Sequence, residues 1–454
     1  MVARCDRFEH GKTYLNVMII ERASYVNKLL AKQWNGKVKI ITGIRRCGKS
    51  FLLSTLYKNR LLEDGVNEDQ FIEIALDRKS GIPYRNPNLL FDHIIEKTKD
   101  ANKRYYVFID EIQLSFKVKN SSIDESAVPE EERDALYTTF YDVLNDLLAR
   151  HNLDVYVTGS NSKMLSKDIV TNFRDRGTEI KVYPLSFAEY LSATDLDKVD
   201  AFEEYITYGG MPLAVLEKDE REKRRYLKDL FTMVYFKDLV ERYKIKDMEV
   251  LGALTDALCS AIGSLTNPNK LANTASSIID KNVNRPMIQR YIGYLEDSYL
   301  FESAKRWNVK GRKYFDTIQK YYSTDVGLRN ARLNFRQQER SHLMENIIYN
   351  ELIRRGYSVD VGIVEITQTV DGVKRQSQYE IDFVVNMGNN KIYIQSALNI
   401  DTPEKKAQET MSLRNTGDFY RRIVIVDGNR KPWIDEGITY IGVIPFLLDP
   451  SILD

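Results

Sequence analysis

Eight consecutive residues, Gly43-Ile44-Arg45-Arg46-Cys47-Gly48-Lys49-Ser50, match the spacing G-x-x-x-x-G-K-S/T at each fixed position. Glycines at the two ends let a backbone wrap closely around phosphates. Successive amides then point inward as an anion nest at the positive end of the following helix. The Lys49 ammonium is expected to reach the β and γ phosphates of ATP, and the Ser50 hydroxyl to ligate Mg²⁺. Arg46, Cys47 and Phe51 join Gly43, Gly48, Lys49 and Ser50 as candidate nucleotide-binding residues. Cys47 reads as a small filler and not as a nucleophile. Arg45 and Arg46 read equally as phosphate contacts or solvated charges.

Downstream, the apolar run Tyr105-Tyr106-Val107-Phe108-Ile109 ends in Asp110-Glu111. In a phosphoryl-transfer site the first carboxylate holds Mg²⁺, and the second polarises the attacking water as a general base. The candidate metal ligands are therefore Ser50 and Asp110, and the candidate base is Glu111. A polar segment, Thr158-Gly159-Ser160-Asn161, closes a later apolar run. Asn161 or Ser160 there either orients water or senses the γ phosphate, or else caps the next helix. Arg174 and Arg176 follow, and Arg176 is the candidate arginine finger, in its own chain or toward a neighbouring copy.

Alternating elements must position these groups. The pattern predicts a helix over about Arg22 to Trp34 and a strand over Lys37 to Thr42 running into Gly43. A helix from Lys49 to Asn59 follows, with strands at Phe71 to Leu76, Tyr105 to Ile109, Asp154 to Thr158 and Glu179 to Tyr183. Such alternation implies a parallel sheet covered on both faces. Residues 115–132 read as a polar surface loop. From Lys246 to about Asn308 helices dominate the pattern, and the last 120 or so residues return to α/β character.

Composition sets outer limits. The 454 residues suggest about three domains of ordinary size. A hydrophobic fraction of 43% supports real cores, and a net charge of +1 argues neither for nor against a nucleic-acid partner. Cys5, Cys47 and Cys259 imply no disulfide framework, and the four histidines make no metal-ligand spacing with them. The apolar run 17–20 is too short for a bilayer, and no signal peptide is read, so the expectation is a cytoplasmic protein without a membrane partner.

The order of the segments ITGIRRCGKS (41–50), VFIDEIQ (107–113), VTGSN (157–161), VYPLSFAEY (182–190), YGGMP (208–212), YIGYLEDSYLF (291–301), KYYSTDVGL (320–328) and MENIIYNEL (344–352) resembles the prokaryotic AAA-type ATPases that carry a C-terminal domain of unknown function. The resemblance covers nearly the whole chain. It implies an α/β protein: a parallel-sheet ATPase domain over 1–195, a helical lid or linker over 196–245, a winged-helix-like domain over 246–325 and a small nuclease-like α/β domain over 326–454. Many relatives carry a Gly-Arg pair after the sensor segment, whereas here Arg176-Gly177 reverses it.

The tail departs further. Restriction-type nucleases use an acid on a helix, an acid on a strand and Glu-x-Lys on the next strand. Here Glu345 and Asp382 supply two acids, but Gln395 and Ala397 stand at the Glu and Lys positions. The expectation is a nuclease-like fold without cleavage chemistry. In the middle segment, Pro286 to Leu295 reads as a recognition helix exposing Gln289 and Arg290, followed by a basic wing with Lys305, Arg306, Lys310, Arg312 and Lys313. Candidate partners beyond ATP are thus double-stranded DNA, a protein, or further copies of the chain. The functional expectation is a Mg²⁺-dependent ATPase that couples hydrolysis to a conformational change, against the alternative of a nucleotide-dependent protein-interaction switch with little turnover.

Overall fold

A computed structural model describes residues 4–5, 15–16, 19–160, 176–336, 338–370, 373–388 and 390–453. The chain divides into two compact units, one spanning Glu21–Tyr183 and the other Pro184–Asp454 with the residues before Glu21.

The first unit is built on five parallel strands: β1 (Val38–Thr42), β2 (Phe71–Ala75), β3 (Tyr105–Asp110), β4 (Leu153–Thr158) and β5 (Gly177–Lys181). Their order is β2-β3-β4-β1-β5. The apolar runs read as strands because both faces are covered, as parallel sheets require. On one face, Val38, Ile40, Ile72, Ile74, Val107 and Ile109 pack against helix residues Leu90, Ile94, Phe140, Val143 and Leu147. Those come from α3 (Pro87–Lys97) and α4 (Phe140–Leu148). This unit also holds α1 (Ala23–Leu30) and α2, which runs as Lys49–Phe51, Leu52–Tyr57 and Lys58–Glu63 with its middle segment wound as a π-helix.

The opposite face is aromatic and holds a buried ion pair. Tyr57 from α2 packs on Phe108 and Tyr156, and its hydroxyl meets that of Tyr156 at 2.6 Å. Lys39 on β1 is bonded to Asp154 on β4, and both are fully buried. The Tyr156 hydroxyl donates to the same carboxylate at 2.7 Å and the Trp34 amide at 3.1 Å. Burial pulls the Lys39 pKa below its ordinary value, and the Asp154 charge opposes that shift. The polar 115–132 stretch is not structureless: Val118–Lys119 pairs with Tyr137–Thr138.

The second unit opens with helices α5 (Phe187–Ser192), α6 (Lys198–Tyr208), α7 (Pro212–Leu216) and α8, which runs as Glu220–Asp229, Leu230–Phe236 and Lys237–Tyr243. Next come α9 (Met248–Ser260), α10 (Pro268–Ile279) and α11 (Arg285–Asp297). The helical pattern then stops earlier than its spacing suggests. Phe301–Asn308 is strand β6, hairpinned to β7 (Lys313–Ser323). After α12 (Val326–Arg332) and α13 (Arg340–Arg354) come β8 (Ser358–Val370), β9 (Val373–Met387), β10 (Asn390–Ala397), α14 (Pro403–Arg414), β11 (Arg421–Val426), β12 (Trp433–Asp435), β13 (Ile438–Gly442) and α15 (Val443–Leu448). They form one mixed sheet ordered β7-β6-β8-β9-β10-β11-β13-β12.

This sheet crosses the boundary expected at residue 325. β6 pairs in parallel with β8, Arg306 opposite Val361, so the expected wing is the edge of the C-terminal sheet. The glycine pair of the 208–212 segment also meets the segment around Asp325. Buried Asp325 accepts the Gly210 amide at 2.7 Å and the Leu328 amide at 2.9 Å. A Cβ on Gly209, at φ +69°, would lie 2.3 Å from the Asp325 carboxylate, which excludes a side chain there. Burial raises Asp325 to about 6.

Replacing Asp154 by alanine leaves the Lys39 ammonium buried and unpaired, which is expected to destabilise the first unit by about 3–5 kcal/mol. Calorimetric unfolding checks this. A transition for Asp154→Ala that coincides with wild type would contradict it.

Candidate functional site

The candidate site lies at the carboxyl edge of the five-stranded sheet, where strands β1, β3 and β4 end. β1 runs into Gly43, whose φ is +134° and whose missing Cβ would sit 2.1 Å from the Val182 carbonyl. No other residue fits that approach. Gly48 caps α2 in the left-handed region at φ +97°, and Arg46 is left-handed and exposed. Lys49 is buried, and its ammonium donates to the carbonyls of Gly43 at 2.9 Å and Ile44 at 3.0 Å. It therefore lies over the loop it closes. Cys47 is fully buried, with its thiol toward the Val182 carbonyl at 3.4 Å. Phe51 is half-buried in the first turn of α2.

Asp110 ends β3 one strand removed from the loop strand. The Ser50 hydroxyl donates to its Oδ1 at 2.9 Å, and the Thr158 hydroxyl at the end of β4 donates to the same oxygen. Thr158 Oγ1 in turn accepts the Glu111 amide at 3.0 Å. Glu111 is left-handed at φ +55°, ψ +49°. For a residue with a side chain that conformation costs roughly 1–2 kcal/mol. The bend turns the second carboxylate out of the strand line and toward Gln113, whose side-chain amide donates to Glu111 Oε2 and, at 3.4 Å, to Ser160 Oγ. Two oxygen ligands of the kind hard cations prefer, Ser50 Oγ and Asp110 Oδ1, thus face each other across hydrogen-bond distance, which fits Mg²⁺.

Asn161 and Arg174 lie outside the described residues. Arg176 is described, and it is not brought to the loop of its own chain. Its carbonyl accepts the Val38 amide at the start of β1, so it flanks the amino edge of the sheet, the far end from Gly43. Its guanidinium is exposed and donates to Asn145 at 2.9 Å. Thr158 and Gln113 also join the site, and both fall inside segments that the sequence marks. Their signal in the sequence is a hydroxyl closing a buried strand and an amide two residues after Glu111.

The C-terminal cluster is also more complete than its sequence suggests. Glu345 on α13 and Asp382 on β9 do come together, and Glu380 joins them. At their centre is the Lys320 ammonium from β7, 2.7 Å from Glu345, 2.5 Å from Glu380 and 3.2 Å from Asp382. The positive charge missing at Ala397 is therefore supplied by a different strand. Among the described residues, no three His, Cys, Asp or Glu side chains are arranged to hold a metal by themselves. The Gln395 side-chain oxygen accepts the Asp382 amide at 3.4 Å, and the Tyr322 hydroxyl donates to Glu345 at 2.7 Å. Lys320 is held charged, its pKa raised by the three carboxylates against the opposing effect of burial. Burial pushes Glu345 up to about 8; the Lys320 charge opposes this and the Asp382 charge adds to it. Arg306, expected on an exposed wing, is buried instead, with its guanidinium donating to Gln378 on β9 at 3.3 Å.

A carboxyl raised on folding contributes stability that is present below its unfolded pKa, near 4.5, and lost as pH rises through about 8. Across pH 5 to 8 the second unit is expected to lose stability in wild type, and Glu345→Gln is expected to flatten that slope. Calorimetry at intervals of pH measures it, and parallel slopes in the two proteins would contradict the assignment.

Comparison with known proteins follows the same division of the chain. A model described as an AAA domain matches residues 35–191, and two domains of unknown function, DUF8612 and DUF4143, match residues 199–339 and 340–446. An uncharacterized protein of Haemophilus influenzae is 31% identical over 435 residues, covering 95% of this chain and 99% of that one. An uncharacterized protein of Methanocaldococcus jannaschii is 27% identical over 458 residues, covering 95% of this chain and 92% of that one. Among solved structures, Cdc6p from Pyrobaculum aerophilum overlaps with a TM-score of 0.28 at 11% identity, over 74% of this chain and 96% of that one. No helix among the described residues is long and apolar enough to cross a membrane. With near-complete coverage at 31% identity, the chain belongs to the family of the Haemophilus influenzae protein, P-loop proteins with an AAA domain followed by C-terminal domains of unknown function.

Proposed function

We propose that this protein is a Mg²⁺-dependent ATPase. The observation that carries the reading is the convergence of Ser50, Asp110 and Thr158 on one carboxylate oxygen beside the Lys49 loop, with Glu111 next in line. In this reading the amides after Gly43 and the Lys49 ammonium bind the phosphates, and Ser50 and Asp110 hold Mg²⁺, which supplies charge neutralisation when bound. Glu111 takes a proton from water as the water oxygen bonds to the γ phosphorus. The bond to the β,γ-bridging oxygen breaks, leaving ADP and phosphate. Gln113 fixes one Glu111 oxygen, and this reading assigns the other to the attacking water. A finger from a neighbouring copy fits better than one in cis for Arg176, given its hydrogen bond to Asn145 at the amino edge of the sheet.

A DNA partner is favoured by one feature of the second unit. Gln289 and Arg290 are exposed on α11, and Lys310, Arg312 and Lys313 are exposed around the β6–β7 turn. Helix and basic turn together match the chemistry of groove and phosphate contacts. The C-terminal cluster, with Lys320 among its carboxylates, is read as structural and not as a nuclease centre.

Lys49→Ala is expected to lower ATP affinity at least tenfold by calorimetry, because the phosphates lose their principal cation. Glu111→Gln is expected to bind ATP normally and turn over at least a hundredfold more slowly, since the amide keeps the shape and loses the basicity. Turnover at the wild-type rate would remove Glu111 from the role of base. For the partner, Lys310, Arg312 and Lys313 changed together to alanine are expected to weaken duplex binding and flatten its salt dependence in a gel-shift series. Absence of any wild-type binding at low salt would assign this surface to a protein partner.

A further inference from the structure

Arg22 precedes α1 and is only 4% exposed. Its two terminal nitrogens reach two backbone carbonyls from distant parts of the first unit. Nη1 donates to Cys47 in the phosphate loop at 3.1 Å, and Nη2 donates to Tyr183 just beyond β5 at 2.9 Å. The guanidinium lies 4.4 Å over the Tyr25 ring, and the Tyr25 hydroxyl accepts the Tyr183 amide at 3.1 Å. A permanently charged fork is costly to bury, and it is suited to holding two fixed acceptors at once. These acceptors are not loosely chosen. Tyr183 follows Val182, whose carbonyl faces Gly43 and accepts the Cys47 thiol. The start of α1 therefore clasps the loop and the segment that backs it.

The direction of the Cys47 carbonyl has a chemical consequence. In a trans peptide the carbonyl and the following N–H point to opposite sides, and the described residues contain no cis peptide bond. With the Cys47 oxygen drawn to Arg22, the Gly48 amide of the same peptide points away from Arg22, and the next residue, Lys49, folds back over the carbonyls of Gly43 and Ile44. Charge-assisted donors of this kind hold an acceptor about twice as firmly as neutral ones.

We propose that Arg22 is a positioning residue of the phosphate loop, aiming the Gly48 amide at the β-phosphate of a nucleoside di- or triphosphate. The proposal rests on the reading of this loop as a nucleotide site. Arg22 touches no nucleotide itself; it acts through the Cys47–Gly48 peptide.

The test compares ADP and AMP binding to the full-length protein by calorimetry, with AMP at millimolar concentrations, for wild type, Arg22→Met and Arg22→Lys. ADP presents a β-phosphate and AMP does not. For Arg22→Met the expected result is a roughly tenfold loss of ADP affinity, the value of one well-aimed donor, with AMP affinity within about twofold of wild type. A residue that only held the fold together would weaken both nucleotides alike. Equal loss for ADP and AMP, or ADP affinity within twofold of wild type, overturns the proposal. Should Arg22→Met fail to fold, Arg22→Lys decides, because it keeps the charge and loses the fork. Weakened ADP binding with AMP unchanged supports the proposal, and wild-type ADP affinity overturns it. Wild-type protein that binds no ADP would overturn the nucleotide-site reading, and this proposal with it; wild-type binding with unchanged variants overturns this proposal alone.

Discussion

One carboxylate oxygen, Asp110 Oδ1, receives hydroxyl groups from two separate segments. Ser50 reaches it from the start of α2 and Thr158 from the end of β4. The loop strand β1 and the acid strand β3 are not neighbours; β4 lies between them. The site can form only if all three strands end at matching heights, and the parallel registers between β1, β4 and β3 set those heights. The hydrophobic packing on one face and the Lys39–Asp154 pair on the other hold that register. A side chain placed at the mouth of this crevice is thus positioned by the whole sheet and not by its own loop.

Around that oxygen the backbone adopts conformations that most residues avoid. Gly43 and Gly48 have positive φ without cost, whereas Glu111 and Arg46 do so with side chains. Such conformations occur elsewhere in the chain as well, at Trp34 and Lys244 for example, and at this edge they turn the Glu111 and Arg46 side chains out of the line of the backbone. Arg22 extends the arrangement outward, since its two hydrogen bonds tie the phosphate loop to Tyr183, the last residue of the first unit. The second unit uses charge differently. There Lys320 bonds three acidic side chains, two of them buried, and joins β7 to α13 and β9, and the hairpin that sequence assigned to a separate domain becomes part of the C-terminal sheet.

What could be read in the sequence was local. The eight-residue loop, the acidic pair after an apolar strand, and the five strands of the first sheet each announce themselves within a dozen residues, because glycine requirements and burial on both faces leave a contiguous pattern. What could not be read depends on pairing across long separations. Lys320 serves a cluster whose acids lie 25, 60 and 62 positions further along the chain. Arg306 looks like a surface charge until β8 and β9 bury it. Arg176 resembles a finger by its place after the sensor segment, and only the parallel register shows that it leads into β5 at the far end of the sheet from its own chain's phosphate loop. The 301–308 stretch shows helical spacing at its entry and becomes a strand because β8 offers it a partner. In each case a residue type was legible and its neighbours were not.

The central claim is that one site binds ATP through Lys49 and hydrolyses it with a cation held between Ser50 and Asp110. Steady-state release of inorganic phosphate from ATP by the purified protein, with Mg²⁺ and then with the Mg²⁺ chelated, tests it most directly. The account predicts release that depends on Mg²⁺ and returns when the cation is restored. Release that persists unchanged under chelation, or no release with Mg²⁺ both with and without duplex DNA, would contradict it.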